Sequence, residues 1–371
     1  MLDLLRSVET KSNRNDSIDI IKAIGIILMV WGHTWPFCRN FIYTFHMAIF
    51  FIASGFCYSK KIDSYRKLVT YIKKKIKSLY IPFIICNGLF LLLYKVFFFL
   101  GLFTDNPSFI LATYNYPVEQ HLYTSLSLFI IIKKTIQILL FVGTTEFGTA
   151  TWFLASLFLI LVFHSIANFI IHKIQINKLV IYIVFLIIFS ALSQYINNIN
   201  PSIIFLVKCF PCSYSAFLLG ILLQKLQYER INSWWIGVLS LIILILCSNS
   251  EIELSAGKIG NVLIYYIASL CGWFFLNSIS HIILKSQVLT KCMVYVGQNT
   301  LPILCLHVLC FKFVSYIYIC VNNMPMYFLA SFHIIFSVNG FWKFMYVLCG
   351  VFIPLLLYEI YCFIKKKCFV R

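Results

Sequence analysis

Long apolar stretches separated by short polar segments run through the whole chain. A membrane-spanning helix needs about 20 mostly apolar residues, and ten stretches come close to that length. The pattern predicts an all-α, polytopic integral membrane protein with about ten transmembrane helices, forming a single domain over residues 1–371. The predicted spans are residues 18–36, 42–58, 80–103, 151–172, 179–195, 203–223, 234–249, 261–282, 300–320 and 342–364.

Composition agrees with this pattern. Hydrophobic residues make up 61% of the chain and charged residues only 11%, and the mean hydropathy is +0.91. A soluble core built from 371 residues cannot hide so much apolar surface. Soluble classes of protein are therefore excluded.

The net charge of +18 is distributed as expected beside membrane spans. With the N-terminus inside, 21 of the 30 Lys and Arg residues fall in predicted cytoplasmic segments. We therefore expect a cytoplasmic N-terminus (residues 1–17) and a cytoplasmic basic tail (residues 365–371) in a bacterial inner membrane. Anionic membrane lipids are a sufficient partner for this charge, and we expect no nucleic acid. No cleavable signal peptide is visible, so we expect the first span to remain part of the mature protein.

Residues 104–150 are predicted to form one long external loop. Within it, "LYTSLSLFIIIKKTIQILLFV" (122–142) is apolar enough to imitate a further span, although Lys133 and Lys134 lie at its centre. If this segment crossed, the basic tail would face outward, so we interpret it as an interfacial or re-entrant helix. Aromatic and acidic residues of the loop, including Glu146, suit a sugar, while an interfacial aromatic belt is the simpler explanation of the rings.

The first predicted span carries polar residues near both ends. Lys22 and His33 are eleven residues apart, almost three helical turns, which places them on one face about 16 Å apart. Asp19, one turn before Lys22, can pair with it and lower the cost of burial. Ionisable groups at such depth usually serve a function. The alternatives are that Lys22 snorkels to the headgroups and that His33 bonds a neighbouring helix.

A second histidine follows a tight external turn. In "FIYTFHMAIFFIASGF" (41–56), His46 enters close to the outer end of the second predicted span. Antiparallel neighbours joined by so short a loop should hold His33 and His46 at similar depth. Two imidazoles there could deprotonate a hydroxyl, as an acyl-transfer site requires.

These residues resemble the acyltransferase family 3 membrane proteins, which include bacterial polysaccharide O-acetyltransferases. The resemblance is sharpest in "RNDSIDIIKAIGIILMVWGH" (14–33), and "FHMAIFFIASGF" (45–56) is similar to the family's second motif. Weaker similarities are "KKKIKSLYIPF" (73–83), "TWFLASLF" (151–158) and "GQNTLPILCLH" (297–307). Many members carry arginine where this chain has Lys22. The tail ends at Arg371 without an SGNH-type domain, so we expect any partner that completes the transfer to be separate.

The resemblance implies an acyl-CoA donor, with acetyl-CoA the first candidate, taken from the cytoplasm. It also implies a glycan hydroxyl, on a lipid-linked or surface glycan, as acceptor from the other face. We expect His33 either to remove the acceptor proton or to carry the acyl group, and we expect no metal. His307, Trp152 and Asn299 could instead serve as a helix contact, an interfacial anchor and a helix cap. The candidate residues are His33, His46 and Asp19 for catalysis, Lys22, Arg14, Lys74 and Lys77 for the donor, and Trp152, Asn299, His307 and Glu146 for the acceptor.

Two other classes of protein fit the polytopic pattern. A polysaccharide flippase or exporter could use the intramembrane Lys95, Lys208 and Lys312 to contact an anionic lipid-linked sugar. A glycan polymerase would also have a large external loop. Neither class explains the paired pattern between Arg14 and Gly55, which an acyl-CoA enzyme uses.

Overall fold

Several helices begin at a side chain that accepts a hydrogen bond from a first-turn backbone N–H. Asn15 accepts from Ser17 at 3.0 Å, and Ser64, Asn261 and Ser286 act in the same way. These caps satisfy N–H groups that have no partner inside the helix. The polar residues between apolar stretches therefore set where the helices start.

The computed structural model describes residues 15–104, 109, 128–174, 177–197, 205–226, 234–250, 252–254, 257–335 and 338–369. This part of the chain is helical and contains no strand beyond a single bridge between Glu253 and Lys258. The helices are α1 Asp16–Gly32, α2 Arg39–Tyr43, α3 His46–Phe56, α4 Tyr65–Lys75, α5 Ile81–Leu92, α6 Tyr94–Phe99, α7 Leu128–Leu139, α8 Trp152–Ile174, α9 Lys178–Asn197, α10 Phe205–Lys225, α11 Trp234–Cys247, α12 Val262–Ile283, α13 Gln287–Gln298, α14 Thr300–Val321 and α15 Gly340–Phe369.

Each of the ten predicted spans contains a helix. Among the described residues, six helical stretches are long and apolar enough to cross a membrane: Tyr65–Leu92, Thr149–Ile174, Lys178–Ile196, Val262–Ile283, Thr300–Val321 and Gly340–Cys368. This confirms an all-α, polytopic membrane protein. The predicted spans at 18–36, 42–58 and 234–249 correspond to shorter helices of 17, 11 and 14 residues.

The second predicted span was wrong in its length. The chain turns after Tyr43, and α3 covers only 11 residues from His46 to Phe56. Eleven residues rise about 16 Å, roughly half of the ~30 Å hydrocarbon core. α3 packs against α1, α10 and α12, and most of its residues are buried. Because protein rather than lipid surrounds it, α3 does not need the length of a lipid-exposed span.

Two glycines hold α3 directly against α10. A Cβ atom on Gly55 would lie 1.9 Å from the carbonyl oxygen of Phe217, and one on Gly220 would lie 2.0 Å from the carbonyl oxygen of Ile52. Close contact of helix backbones through small residues is a common means of association in membranes. The contact fixes the height of α3, and so the height at which His46 enters the bundle.

The third predicted span began too late. A continuous helical stretch starts at Tyr65 and runs to Leu92, with a π-helical turn at Ile76–Tyr80 between α4 and α5. Pro82 has no N–H to donate to the carbonyl of Ser78. The N–H of the preceding Ile81 donates to the carbonyl of Ile76, five residues earlier, as in a π-helix. The basic cluster therefore lies on the same helical stretch as the span.

The apolar segment at 122–142 falls only partly within the described residues. Its described part contains the helix α7, Leu128–Leu139. Lys134 forms an ion pair with Glu146, and the hydroxyl of Tyr80 donates to Leu139 at 3.0 Å. Both contacts tie α7 to the bundle, and its position on the outer side remains a prediction.

We predict that Gly55→Ala destabilises the protein, because its Cβ meets backbone that cannot move away alone. Overpacking of this kind typically costs about 1–3 kcal/mol. Gly88→Ala in α5 is the matched control, since a Cβ there meets nothing within 4 Å. Thermal unfolding in detergent, followed by size-exclusion fluorescence, should show a lower melting temperature for the first variant only. Equal melting temperatures would contradict the backbone contact.

Candidate active site

One face of α1 carries a polar residue at each end and apolar residues between them. Lys22 and His33 form the ends, and Ile26 and Met29 lie between. The helix is unbroken from Asp16 to Gly32, and the N–H of His33 donates to the carbonyl of Met29 at 3.2 Å. Lys22 and His33 therefore share a stripe about 16 Å long, as their spacing predicts.

Three imidazole rings meet at the His33 end of this stripe. The centroid of the His33 ring lies 4.6 Å from that of His333, and the two rings are stacked. The ring of His307, on α14, is tilted and lies 5.2 Å from His33. His46 is within electrostatic reach of His33. The structure thus brings His33, His46 and His307 together, and adds His333.

The backbone fixes the protonation pattern of two of these rings. Nδ1 of His46 lies 2.8 Å from the carbonyl oxygen of Ile42, and Nδ1 of His307 lies 2.9 Å from that of Ile303. A carbonyl oxygen can only accept, so Nδ1 must carry the proton in each ring. The lone pair of each neutral ring is then on Nε2. Nε2 of His307 is buried without a hydrogen-bond partner among the described residues.

His33 and His46 line a small cavity of about 20 Å³, called here the histidine cavity. Trp152 and Tyr43 are also part of its wall, so the predicted Trp152 does lie beside the two histidines. A cavity needs about 10–15 Å³ of space for the centre of a water-sized sphere to hold one water molecule, and the volume of the histidine cavity is of this kind. The space at the imidazoles therefore suits a small group and is far too small for a sugar ring.

A larger apolar cavity of about 170 Å³ adjoins the histidine cavity. Met29, Met47 and Leu304 belong to the walls of both. Ser78 and Thr300 also line the larger cavity, which we call the apolar cavity. The shared wall places the apolar cavity directly against the space at the histidines.

The apolar cavity follows two helix faces that run in the same direction. On α1 its wall goes from Ile26 to Met29, and His33 comes one turn later. On α14 the wall goes from Thr300 to Leu304, and His307 comes one turn later. Each path rises about 10 Å from its first residue to its histidine. The apolar cavity therefore extends from the histidine cluster toward the Lys22 end of α1.

Asp19 was predicted to act with the catalytic histidines, and its position corrects this. Its carboxylate is 2% exposed, pairs with Lys22 at 3.1 Å and accepts from Gln298 at 3.2 Å. Asp19 and His33 are fourteen positions apart along the chain, a rise of about 21 Å. Asp19 therefore anchors Lys22, at the opposite end of the stripe from the imidazoles.

Positive charge beside the apolar cavity comes from α4 and the π-helical turn. Lys74 and Lys77 are exposed and lie within one turn of Ser78, which lines the apolar cavity. Lys22, by contrast, is partly neutralised by Asp19. The predicted Arg14 lies outside the described residues. The surface beside the entrance of the apolar cavity is therefore basic.

Two predicted acceptor residues lie elsewhere. The carboxylate of Glu146 is engaged in the ion pair with Lys134 of α7. Asn299 donates to the carbonyl of Tyr295 at 2.9 Å, between α13 and α14. Neither residue lines the histidine cavity, and Asn299 sits where a capping residue would. The structure therefore does not place Glu146 or Asn299 with the imidazoles.

An aromatic and cationic clamp forms the wall beside His33 and His46. The guanidinium of Arg39 lies 4.3 Å from the ring centroid of Trp35 and 4.1 Å from that of Tyr43, and it pairs with Glu253 at 3.2 Å. Arg39 is within electrostatic reach of both histidines. Guanidinium groups stack well on aromatic faces, so this clamp is rigid.

Trp35 holds the turn after α1 in an unusual conformation. Its φ of 50° is rare for a residue other than glycine, and Lys343 donates to its carbonyl at 2.7 Å. Strained backbone is common at functional sites.

The same turn carries Cys38, and burial raises the pKa of its thiol. A raised pKa disfavours the thiolate form of Cys38.

Sequence reasoning missed His333 and Arg39. His333 follows the 3₁₀ turn Met326–Ala330, and no helical spacing relates it to His33. Arg39 looked like an ordinary loop cation. Only the folded arrangement shows that both lie at the cluster.

Among the described residues, no three His, Cys, Asp or Glu side chains converge as metal ligands would. Comparison with known proteins gives one finding. A family model described as an acyltransferase domain matches residues 15–357. No significant match to a curated protein or to a solved structure was found.

Proposed function

The chain belongs to the acyltransferase domain family, and on that premise we propose that it transfers an acetyl group from acetyl-CoA to a hydroxyl of a surface glycan. The observation that carries the proposal is the apolar cavity, which joins a basic surface to the histidine cluster. A donor with an anionic head and a long, uncharged arm matches this arrangement. The coenzyme is predicted to come from the cytoplasm, with the Lys22 end facing that side.

The donor phosphates bind the basic surface in this proposal. Lys74 and Lys77 provide exposed ammonium groups on the helical stretch that carries Ser78, and charge-assisted bonds to phosphate are among the stronger hydrogen bonds. The arm then lies in the apolar cavity, whose lining includes Ile26 and Leu301. Its thioester arrives at the wall shared by Met29 and Met47.

The imidazoles supply the acid–base chemistry. In direct transfer, a ring Nε2 takes the proton of the acceptor hydroxyl, and the hydroxyl oxygen attacks the thioester carbonyl carbon. The C–S bond then breaks, and the departing thiolate takes the proton back from the imidazolium. In the alternative route His33 first carries the acetyl group. Both routes use His33, with His46 and His307 beside it.

The acceptor approaches through the aromatic and cationic clamp. Tyr43 and Trp152 line the histidine cavity, and aromatic rings suit the apolar faces of a sugar. Arg39, which interacts electrostatically with His33, is the group we expect to stabilise the oxyanion that develops on the thioester carbonyl. Only one hydroxyl of the glycan has to enter.

A flippase, an exporter or a glycan polymerase is the alternative. Typical pockets for a ligand of drug size have about 300–1,000 Å³, whereas the histidine cavity has about 20 Å³. That size supports transfer of a small group over passage of a sugar. Purified protein in liposomes distinguishes the classes, because an enzyme consumes labelled acetyl-CoA and a transporter moves glycan without doing so.

We predict that His33→Gln abolishes acetyl transfer while the protein remains folded. Loss of a general base typically lowers the rate by about 10²–10⁴-fold, and glutamine keeps much of the size and polarity of histidine. His172→Gln, at the exposed end of α8, is the control. Transfer from radiolabelled acetyl-CoA and NMR of the purified polysaccharide are the measurements. Wild-type ester levels in the first variant would reject the catalytic role.

We predict that the double variant Lys74→Ala/Lys77→Ala raises the KM for acetyl-CoA with little change in kcat. Loss of one charge-assisted contact, about 1.4 kcal/mol, corresponds to about a tenfold increase. Lys365→Ala/Lys366→Ala, which removes the same charge from the tail, should leave the KM unchanged. An unchanged KM in the first pair would count against the proposed donor entrance.

We predict that Met47→Ala widens the range of acyl groups transferred. The side chain separates the apolar cavity from the histidine cavity, so truncation makes room beside the thioester. The ratio of kcat/KM for butyryl-CoA to that for acetyl-CoA should rise by about tenfold. Met293→Ala on α13, which lines neither cavity, should not change this ratio. Equal ratios in both variants would show that Met47 does not limit acyl size.

A further inference from the structure

Lys312 is a buried lysine whose ammonium group binds two backbone carbonyl oxygens rather than a carboxylate. Its side chain is 5% exposed, and Nζ donates to the carbonyl of Leu329 at 3.0 Å and to that of Ser331 at 2.5 Å. Nζ also lies 5.8 Å from the ring centroid of Phe147. Among the described residues, no carboxylate lies within 4.0 Å of it. An ammonium group so far inside a membrane protein is costly and usually functional.

Both carbonyls that Lys312 binds belong to the segment that leads to His333. Ser331 is two residues before His333, a chain distance of about 7 Å at most. Just beyond His333, the hydroxyl of Tyr346 accepts from the N–H of Ile335 at 3.4 Å and contacts Ser315 at 2.8 Å. The segment 329–335 is therefore fastened on both sides of the histidine.

Two neighbouring helices provide these attachments, Lys312 on α14 and Tyr346 on α15, and α14 also carries one of the imidazoles. α14 carries His307, Lys312 and Ser315. The His307 ring packs against that of His33, Lys312 binds the segment that carries His333, and Ser315 contacts Tyr346 of α15, which accepts from Ile335 of that segment. α14 is therefore linked both to His33, through His307, and to the segment that carries His333, through Lys312.

We propose that Lys312 is a positioning residue, whose two carbonyl bonds hold the His333 ring stacked on His33. Lys312 does not touch the reacting atoms. Removing its ammonium group releases the carbonyls of Leu329 and Ser331, so the His333 ring loses its fixed distance to His33. The geometric part stands on the contacts of Lys312 alone, and only the kinetic consequence rests on the proposed acetyl transfer.

The first test measures the position of His333 without relying on activity. Wild type, Lys312→Met and Lys312→Arg are treated in detergent with diethyl pyrocarbonate, a histidine-directed acylating reagent, and modified peptides are quantified by mass spectrometry. Lys312→Met should raise the modification rate of His333 by about fivefold or more, because local opening exposes the ring. Lys312→Arg, which can still donate to both carbonyls, should lower this rate again. The exposed His172 is the internal reference.

A control variant distinguishes the effect of losing the Lys312 contacts from the effect of removing a lysine elsewhere in the protein. Lys95→Met removes an exposed lysine that lines a groove between α5, α6 and α7, and it should leave the reactivity of His333 unchanged. If Lys312→Met does not fold, Lys312→Gln, whose side chain is shorter and uncharged, takes its place. Unchanged His333 reactivity in the folded variant, or an equal rise in Lys95→Met, would overturn the proposal.

The second test measures the kinetic consequence in the same proteins. Lys312→Met should lower kcat for acetyl transfer by about tenfold or more while the KM for acetyl-CoA stays the same, since misplacement of a ring by about 1 Å can cost up to 10²-fold. Lys312→Arg should restore most of the rate. A rise in KM with kcat intact would contradict a role at the histidines. If wild-type protein transfers no acetyl group, the proposed function fails, and the modification experiment still decides the role of Lys312.

Discussion

Polar atoms at membrane depth must find their partners within the protein, and the candidate site depends on this constraint. His46 and His307 both satisfy Nδ1 with the carbonyl four residues earlier in the chain. The same bonds leave Nε2 as the basic atom of each neutral ring. A contact that prevents an unsatisfied group therefore also prepares the ring for chemistry. Lys312 follows the same rule, with an ammonium group rather than a ring N–H as donor. Its ammonium group donates to two buried carbonyls that would otherwise lack this donor.

Around this cluster the fold combines a long helix with a short one. α14 supplies one wall of the apolar cavity over its first turns and then His307, whereas α3 supplies His46 and ends after about half the membrane thickness. The short helix is possible because its surroundings are protein. The result is a site reached from the basic end through apolar surface and bounded at the other end by Arg39 and its aromatic neighbours. This division suits two substrates of different polarity.

Helical periodicity was enough to predict the stripe from Lys22 to His33, because both lie on one regular helix. The turn of few residues was enough to place His46 near His33. The length of α3 could not be predicted in this way, since hydropathy does not distinguish a helix surrounded by protein from one surrounded by lipid. The pairing of Lys22 with Asp19 follows from their three-residue spacing, yet the same spacing places Asp19 far from His33. His333 could not be predicted at all, because its contact joins residues 300 positions apart through an irregular segment.

The close approach of α3 and α10 at Gly55 and Gly220 also limits how this protein can change by mutation. For a side chain on either glycine, the obstacle is a carbonyl oxygen of the facing helix, and every residue type carries that atom. No replacement on the opposite helix can therefore make room, and an intragenic suppressor must act by letting whole helices separate. The two codons are accordingly expected to remain fixed as glycine together, and true reversion is the simplest genetic route back from a change at either one.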